Sequence, residues 1–434
     1  MEEYQSVYNE TTHLWMDPYG EPSGNNTLDP ETELLIGEIS TIVGSAIWQL
    51  IATRLGWPVS ATHSTVGGLV GFSLLARGPA GINWRKIVSI VIAWFVSPVS
   101  AGLATVALYY PIRKYVVMGE NGTYWGLIAF PILFGFTAFF DCGTILTTGN
   151  VFYDILGIDV DNKGLSELYL WIVSIVFGVC VGGAVLVSSK TTSSVFKSEK
   201  VKQVLNVIKK DIEASADGVV NKSFDEKTDE KSEEKTVEIK NEVENEKSTP
   251  VEIPAEDDDN YMTRTIFKSL QFLSAITGSL AHGGNDVGNA IGCVVMIWLV
   301  WDTPQQFAEK NAPYWILAYG GVGISLGLVL FGRRVIETMG TKLTKVTPSR
   351  GFCIEIMSAV TVLVALKIGV PVSTTHCKVG SIIAIGLMRE GLAGVDRSLI
   401  IKICAGWVIT IPAAGLVSCA IYATLHAIVL GGAY

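Results

Sequence analysis

The sequence predicts an all-α polytopic membrane protein, an inverted repeat built around two re-entrant helical hairpins. Three observations lead there. Hydrophobic residues make up 49% of the 434 positions and charged residues only 17%, outside the usual range of soluble domains. Apolar runs recur at lengths near the roughly 20 residues that cross a bilayer core of about 30 Å. One unusual hexapeptide occurs twice, as Pro58-Val59-Ser60-Ala61-Thr62-His63 and Pro371-Val372-Ser373-Thr374-Thr375-His376. Aligned without a gap, residues 56–103 and 369–416 agree at about 18 of 48 positions, more than shared apolar composition gives.

The elements follow in order. Residues 1–32 form a polar leader with no signal-peptide core, carrying sequons at Asn9 and Asn25. If the sequons are used, the leader is extracellular and the protein a glycoprotein. Residues 34–54 are apolar and helical until Gly56-Trp57-Pro58 stops them. Residues 62–75 resume an apolar run too short to span. Half-helix, polar tip, half-helix describes a hairpin that ends inside the membrane, where irregular backbone survives only against a protein-walled cavity. Spans follow at 87–110, 124–146 and 168–188. With the leader outside, Arg113, Lys114 and Lys190 come out cytoplasmic, as the positive-inside rule asks.

Most of the net charge of −9 collects in residues 190–262, a Glu/Lys/Asp/Ser stretch too polar to fold alone. It reads as a disordered cytoplasmic loop between halves at 33–189 and 263–434. Residues 201–212 within it have helical apolar spacing among lysines, which suits an amphipathic helix on the inner leaflet or a solvated linker. The charge is thus a property of one loop and no nucleic-acid surface is indicated. All seven cysteines lie in or beside apolar segments without CxxC or Cys/His spacing, so neither a disulfide framework nor a zinc site is expected.

Residues 264–301 are apolar for about 38 positions, or roughly 57 Å as one helix, so a break is expected at His282-Gly283-Gly284-Asn285-Asp286. A span at 314–331 and basic residues at Arg333, Arg334, Lys342, Lys345 and Arg350 follow on the cytoplasmic side. The second hairpin, 352–367 and 377–388, enters from inside, and 399–425 carries the C-terminus out. The two copies then have opposite orientations, an arrangement that places a substrate site between them near the midplane.

Each tip sets hydroxyls, Ser60 and Thr62 in one copy and Ser373, Thr374 and Thr375 in the other, before the first turn of a half-helix. Free N–H groups and the helix dipole point at the same place, so an oxyanion is the natural ligand. Plain N-capping explains a single copy equally well; two opposed copies at depth favour the anion. Asn285 and Asp286 lie in an apolar run where a carboxylate is costly unless paired, and with freed carbonyls they suit a hard cation such as Na⁺. A cation beside the anion removes the repulsion from Asp286, which gives symport a physical basis. A carboxylate also accepts a hydrogen bond from protonated phosphate, whereas sulfate has no proton to give. Glu355 is a second buried carboxylate for ion coupling, with a structural hydrogen-bonded role as its alternative. His63 and His376 read as fixed hydrogen-bonding struts, and Trp94 and Trp407 as packing residues.

The motifs Gly283-Gly284-Asn285-Asp286-Val287-Gly288-Asn289-Ala290, Arg350-Gly351-Phe352-Cys353-Ile354-Glu355 and Pro371 to Gly380 resemble the inorganic phosphate transporter (PiT) family, most nearly its sodium-dependent symporters of animals. The resemblance implies a plasma-membrane sodium/phosphate symporter, a homodimer, with sodium as co-substrate and no cofactor. It implies a site of Asn285, Asp286 and Ser373 to Thr375, with Ser60 and Thr62 facing them. Two departures stand out. Family members carry an Asn-Asp motif in each half, and here only the leader precedes Glu33, as in a chain lacking its first two membrane spans. Ala61 also stands where the second copy has Thr374. A transport-deficient phosphate sensor or a truncated isoform is therefore the alternative expectation. An intramembrane hydrolase using Ser373, His376 and Asp286 fits the residue types but lacks any nucleophile-positioning turn, so no enzyme is expected.

Overall fold

The computed structural model describes residues 7–9, 14–16, 28–147, 163–196, 259, 261–302, 313–370 and 372–431. The expected helix at 201–212, the sequon at Asn25 and nearly all of the acidic loop lie outside these. A small antiparallel ribbon in the leader pairs β1 (Val7–Asn9) with β2 (Leu14–Met16). The rest is helical: α1 (Pro30–Arg54), α2 (Ala61–Arg77), α3 (Trp84–Pro111), α4 (Gly122–Thr147), α5 (Lys163–Phe196), α6 (Tyr261–Asp302), α7 (Tyr314–Phe331), α8 (Arg333–Glu337), α9 (Pro348–Lys367), α10 (Thr374–Glu390) and α11 (Arg397–Gly431). Eight of the described helices (α1, α3 to α7, α9 and α11) are long and apolar enough to cross a membrane, so the chain is a multi-pass membrane protein. Large apolar side chains cover their outer faces, as at Phe95, Leu103, Leu326 and Val329; in water this would be unstable, and in lipid it is the required surface.

The repeat is visible in local geometry. Gly56 and Gly369 end the first limb of each hairpin at φ +71° and +72°, a left-handed conformation that glycine adopts without strain. Ser60 and Ser373 cap α2 and α10, each side chain accepting the amide of the histidine three residues on at 3.3 Å. Short 3₁₀ turns at Gly78–Gly81 and Gly391–Gly394 close each hairpin, and Asn83 and Asp396 stand at matching places before α3 and α11, each accepting an amide at 3.0 Å.

Three expectations are corrected. The first limbs are not half-helices: α1 has 25 residues and α9 has 20, enough to cross by themselves. α1 begins earlier than the apolar run because Asp29 accepts the Thr32 amide at 3.0 Å and Glu33 pairs with Arg77 at 3.0 Å, which lets Pro30 and three polar residues join the helix. The long run also does not break. α6 is one helix of 42 residues through His282 and Asp286, about 63 Å along its axis. It contains no proline, its glycines cost only about 1 kcal/mol each, and its polar side chains find partners on other helices, so the backbone need not unwind to satisfy them. Arg350, expected at the cytoplasmic surface, is fully buried and donates to the Tyr109 hydroxyl at 3.2 Å and the Lys345 carbonyl at 3.1 Å.

The halves interlock crosswise. α2 of the first hairpin packs on α11, and α10 of the second packs on α3. Glycines permit both crossings at matching positions: Gly67 and Gly71 of α2 lie against the backbone of Ile411 and Gly415, and Gly380 of α10 against Pro98, with Ala384 meeting Gly102. The remaining core joins Tyr109, Phe267, Leu270, Phe352, Ile356 and Ile385 from α3, α6, α9 and α10, with Phe267 and Phe352 edge-on at 5.9 Å. Such close backbone approach is the main attraction between helices in lipid, where no hydrophobic force draws them together.

Gly380→Leu drives a side chain into the Pro98 carbonyl and is expected to lower thermal stability in detergent by about 1–3 kcal/mol or to disperse the size-exclusion peak. Gly183→Ala, where an added Cβ meets nothing within 4 Å, is expected to hold or slightly raise it.

Candidate functional site

Both hairpin tips meet in the interior. The Trp407 indole donates to the Pro58 carbonyl at 3.0 Å, and the Thr375 hydroxyl to the Val59 carbonyl at 3.4 Å. His63 and His376 face each other edge-on with centroids 4.8 Å apart, and Trp407 stacks on His376 at 3.7 Å. Both histidines are buried, and Nδ1 and Nε2 of His376 and Nδ1 of His63 have no hydrogen-bond partner among the described residues. Struts were expected here; the contact is instead ring against ring, because each tip turns its histidine toward the other copy.

A stripe along α6 ties the tips together. Asp286 is buried, and its Oδ2 accepts from the Thr374 hydroxyl at 3.1 Å and from His282 Nε2 at 2.9 Å, while Oδ1 accepts from the Asn285 amide at 2.9 Å. One turn on, Asn289 Nδ2 donates to the Thr62 hydroxyl at 2.8 Å. One unbroken helix therefore holds tip two through Asp286 and tip one through Asn289. Ser60 and Ser373 are buried with their oxygens used as caps; each hydroxyl proton can still be donated. The first-turn amides of α2 and α10 lack intrahelical acceptors and carry the positive end of the dipole.

The residues expected to bind a cation divide. Asn285 and Asp286 stand together, whereas Glu355 pairs with Lys378 at 2.5 Å, with both side chains partly exposed. Gly278 of α6 makes room for that pair, since a Cβ there would fall 2.6 Å from Glu355 Oε2. A half-enclosed cavity of about 220 Å³ adjoins the tips, lined by Gln49, Trp57, His282, Thr374, Thr375 and Lys378 among others. Val335 and Met339 also line it; they lie just past α7, where Arg334 donates to the Arg54 carbonyl at 2.8 Å. Hydroxyls, an ammonium and an imidazole converge on this space beside a hydrogen-bonded carboxylate, a set that suits an oxyanion accompanied by a cation.

Sequence reasoning missed His282, Asn289 and Gln49 as site residues. His282 lies four residues before Asp286, on the same helix face, and Asn289 three residues after it, so both were within reach of a spacing argument. Gln49 carries no such signal.

A model of the "Phosphate transporter family" matches residues 21–418. The chain is 30% identical to "Sodium-dependent phosphate transporter 1-A" of Danio rerio, over 92% of this chain and 84% of that one, and 30% identical to "Sodium-dependent phosphate transporter 2" of Bos taurus, over 92% and 86%. A solved structure titled "The sodium-dependent phosphate transporter" superposes with a TM-score of 0.66 at 28% identity, over 91% of this chain and 80% of that one.

Glu355→Gln and Lys378→Met are each expected to lower stability in detergent more than their combination does. The double-mutant coupling should be about 1 kcal/mol or more; additive losses would mean that the pair does not form.

Proposed function

We infer that this chain, which belongs to the phosphate transporter family, carries inorganic phosphate across a membrane coupled to sodium, as a plasma-membrane symporter and not an enzyme. The observation that carries the reading is the shared hold of one helix, α6, on both tips. In it, Ser60, Thr62, Ser373, Thr374 and Thr375 receive phosphate, with Lys378 supplying positive charge from the cavity wall. Sodium goes to Asn285 and Asp286. Glu355 has its carboxylate engaged by Lys378, so its part is to release that ammonium or hold it back. The relatives are named as transporters, which disfavours the sensor alternative.

The coupling rests on one donor. A threonine hydroxyl has a single proton to give, and that of Thr374 now goes to Asp286. Sodium on Asp286 takes over the neutralisation, which frees Thr374 to turn its proton to phosphate. Each ligand then favours the other, as linkage requires.

The hairpins and their flanking helices form an inverted repeat, with the central loop cytoplasmic and both termini outside, following the positive-inside distribution of Arg113, Lys114, Arg333 and Arg334. On that orientation the cavity faces the cytoplasm, because its lining residues Thr53 and Val335 adjoin Arg54 and Arg334, which bond each other. A homodimer and glycosylation of the leader belong to the same reading.

Radiolabelled phosphate uptake into proteoliposomes is expected to need sodium and to fall to background in Asp286→Asn. Thr374→Val should weaken the sodium enhancement of phosphate binding by at least about fivefold, the low end of ordinary coupling energies. Sodium-driven uptake equal to the parent chain in Asp286→Asn removes Asp286 from the mechanism.

A further inference from the structure

Trp94 of α3 and Trp407 of α11 occupy matching places in the two copies, yet only one of them holds a tip. The Trp407 indole donates to the Pro58 carbonyl at 3.0 Å, and its ring lies 3.7 Å from that of His376. Trp94 stands 5.0 Å from His63, the mate of His376, and its buried Nε1 has no hydrogen-bond partner among the described residues. An indole N–H can only donate, and leaving it open in a buried place costs more than a made bond returns. Two further inequalities point the same way. The Thr375 hydroxyl donates to the Val59 carbonyl at 3.4 Å, whereas its mate Thr62 is held by Asn289 at 2.8 Å. The cavity is lined by Thr374, Thr375 and Lys378 of α10 and by none of their mates on α2, which are Ala61, Thr62 and Thr65. The serine caps and the glycine crossings, by contrast, match in both copies.

We propose that Trp94 and Trp407 are paired positioning residues for transport, each of which holds one hairpin tip in one of two conformations. Trp407 holds tip one in the conformation described. In the opposite one Trp94 donates its N–H to the backbone of tip two, and Trp407 lets Pro58 go. Two copies of opposite orientation can each make the contact that the other makes, and conformations that exchange such contacts expose the site to opposite faces. Neither indole lines the cavity, so both act through the tips and not on phosphate. Between them stand the two histidines, and the four rings form one file, with centroids 5.0, 4.8 and 3.7 Å apart from Trp94 to Trp407. Tightening at one end of the file loosens the other. One neutral hydrogen bond is a bias of suitable size, large enough to favour a state and small enough to be given up in every cycle. The proposal rests on the transport reading, since only a carrier needs both conformations.

The test reads the balance of conformations in the full chain reconstituted into proteoliposomes, without phosphate or sodium. A membrane-impermeant maleimide is given from the cavity side to Thr53→Cys, which sets a thiol in the cavity wall, and from the opposite face to Leu366→Cys, at the matching place in the second copy. Labelling of each peptide is followed by mass spectrometry. The ratio of the first rate to the second is expected to fall about fivefold in Trp407→Phe, to rise about fivefold in Trp94→Phe, and to return to within about twofold of the parent's when both are replaced, as the loss of one neutral hydrogen bond from each state gives. A merely structural role would not give that recovery, because two packing losses add. Benzothienylalanine at either position keeps the outline of the indole without its N–H, and it decides the matter if a phenylalanine variant does not reconstitute. A ratio unmoved by Trp94→Phe, as when a trapped water satisfies the indole, overturns the proposal, and so does movement in the same direction by both single variants. Absence of sodium-driven phosphate uptake by the parent chain would sink the transport reading, while the labelling ratio would still be read in the ligand-free chain.

Discussion

Asp286 has to be held inside a membrane protein, and much of the architecture follows from that one requirement. An isolated carboxylate in hydrocarbon costs several kcal/mol, so it needs donors that cannot drift away. His282 and Asn285 come from its own helix, and Thr374 from the second hairpin. The last contact fixes where tip two can lie. The first tip meets tip two through Pro58, Val59 and the histidine pair, and Asn289 repeats the attachment one turn along α6.

Crosswise packing turns this local constraint into a mechanical one. Because α2 rests on α11 and α10 rests on α3, neither hairpin moves without the long helix of the other half. Glycine contacts make these crossings close and stiff, while the contacts between tips are few and polar. Motion that opens one side of the site is therefore cheapest where the tips meet, and the crossings carry it to the outer helices as rigid bodies.

Much of this was readable in the sequence where the signal is local. Gly56, Gly369, Ser60 and Ser373 announce their turns and caps through φ preference and hydroxyl chemistry, and α7 runs over the expected residues. Length arguments failed at α6 because they treat the bilayer as a slab every helix must fit. A helix whose polar residues are satisfied by neighbours can run past it. The Glu355–Lys378 pair, 23 residues apart, and the Gly67–Ile411 crossing depend on how helices are assembled, and no spacing rule reaches them.

The continuity of α6 changes what coupling can consist of. In a broken helix, freed carbonyls coordinate the ion, and occupancy can be reported by refolding of the break. Here the backbone oxygens around Asp286 are engaged in the helix, so an ion can be sensed only through side chains. That puts the burden on donors with one proton, Thr374 above all, and on imidazole and ammonium groups that can turn away. Such a device shifts small energies, a hydrogen bond or two at a time. It works only if the element it biases is already near balance, and the sparse polar contact between the two tips, unlike the glycine crossings, is built to be so.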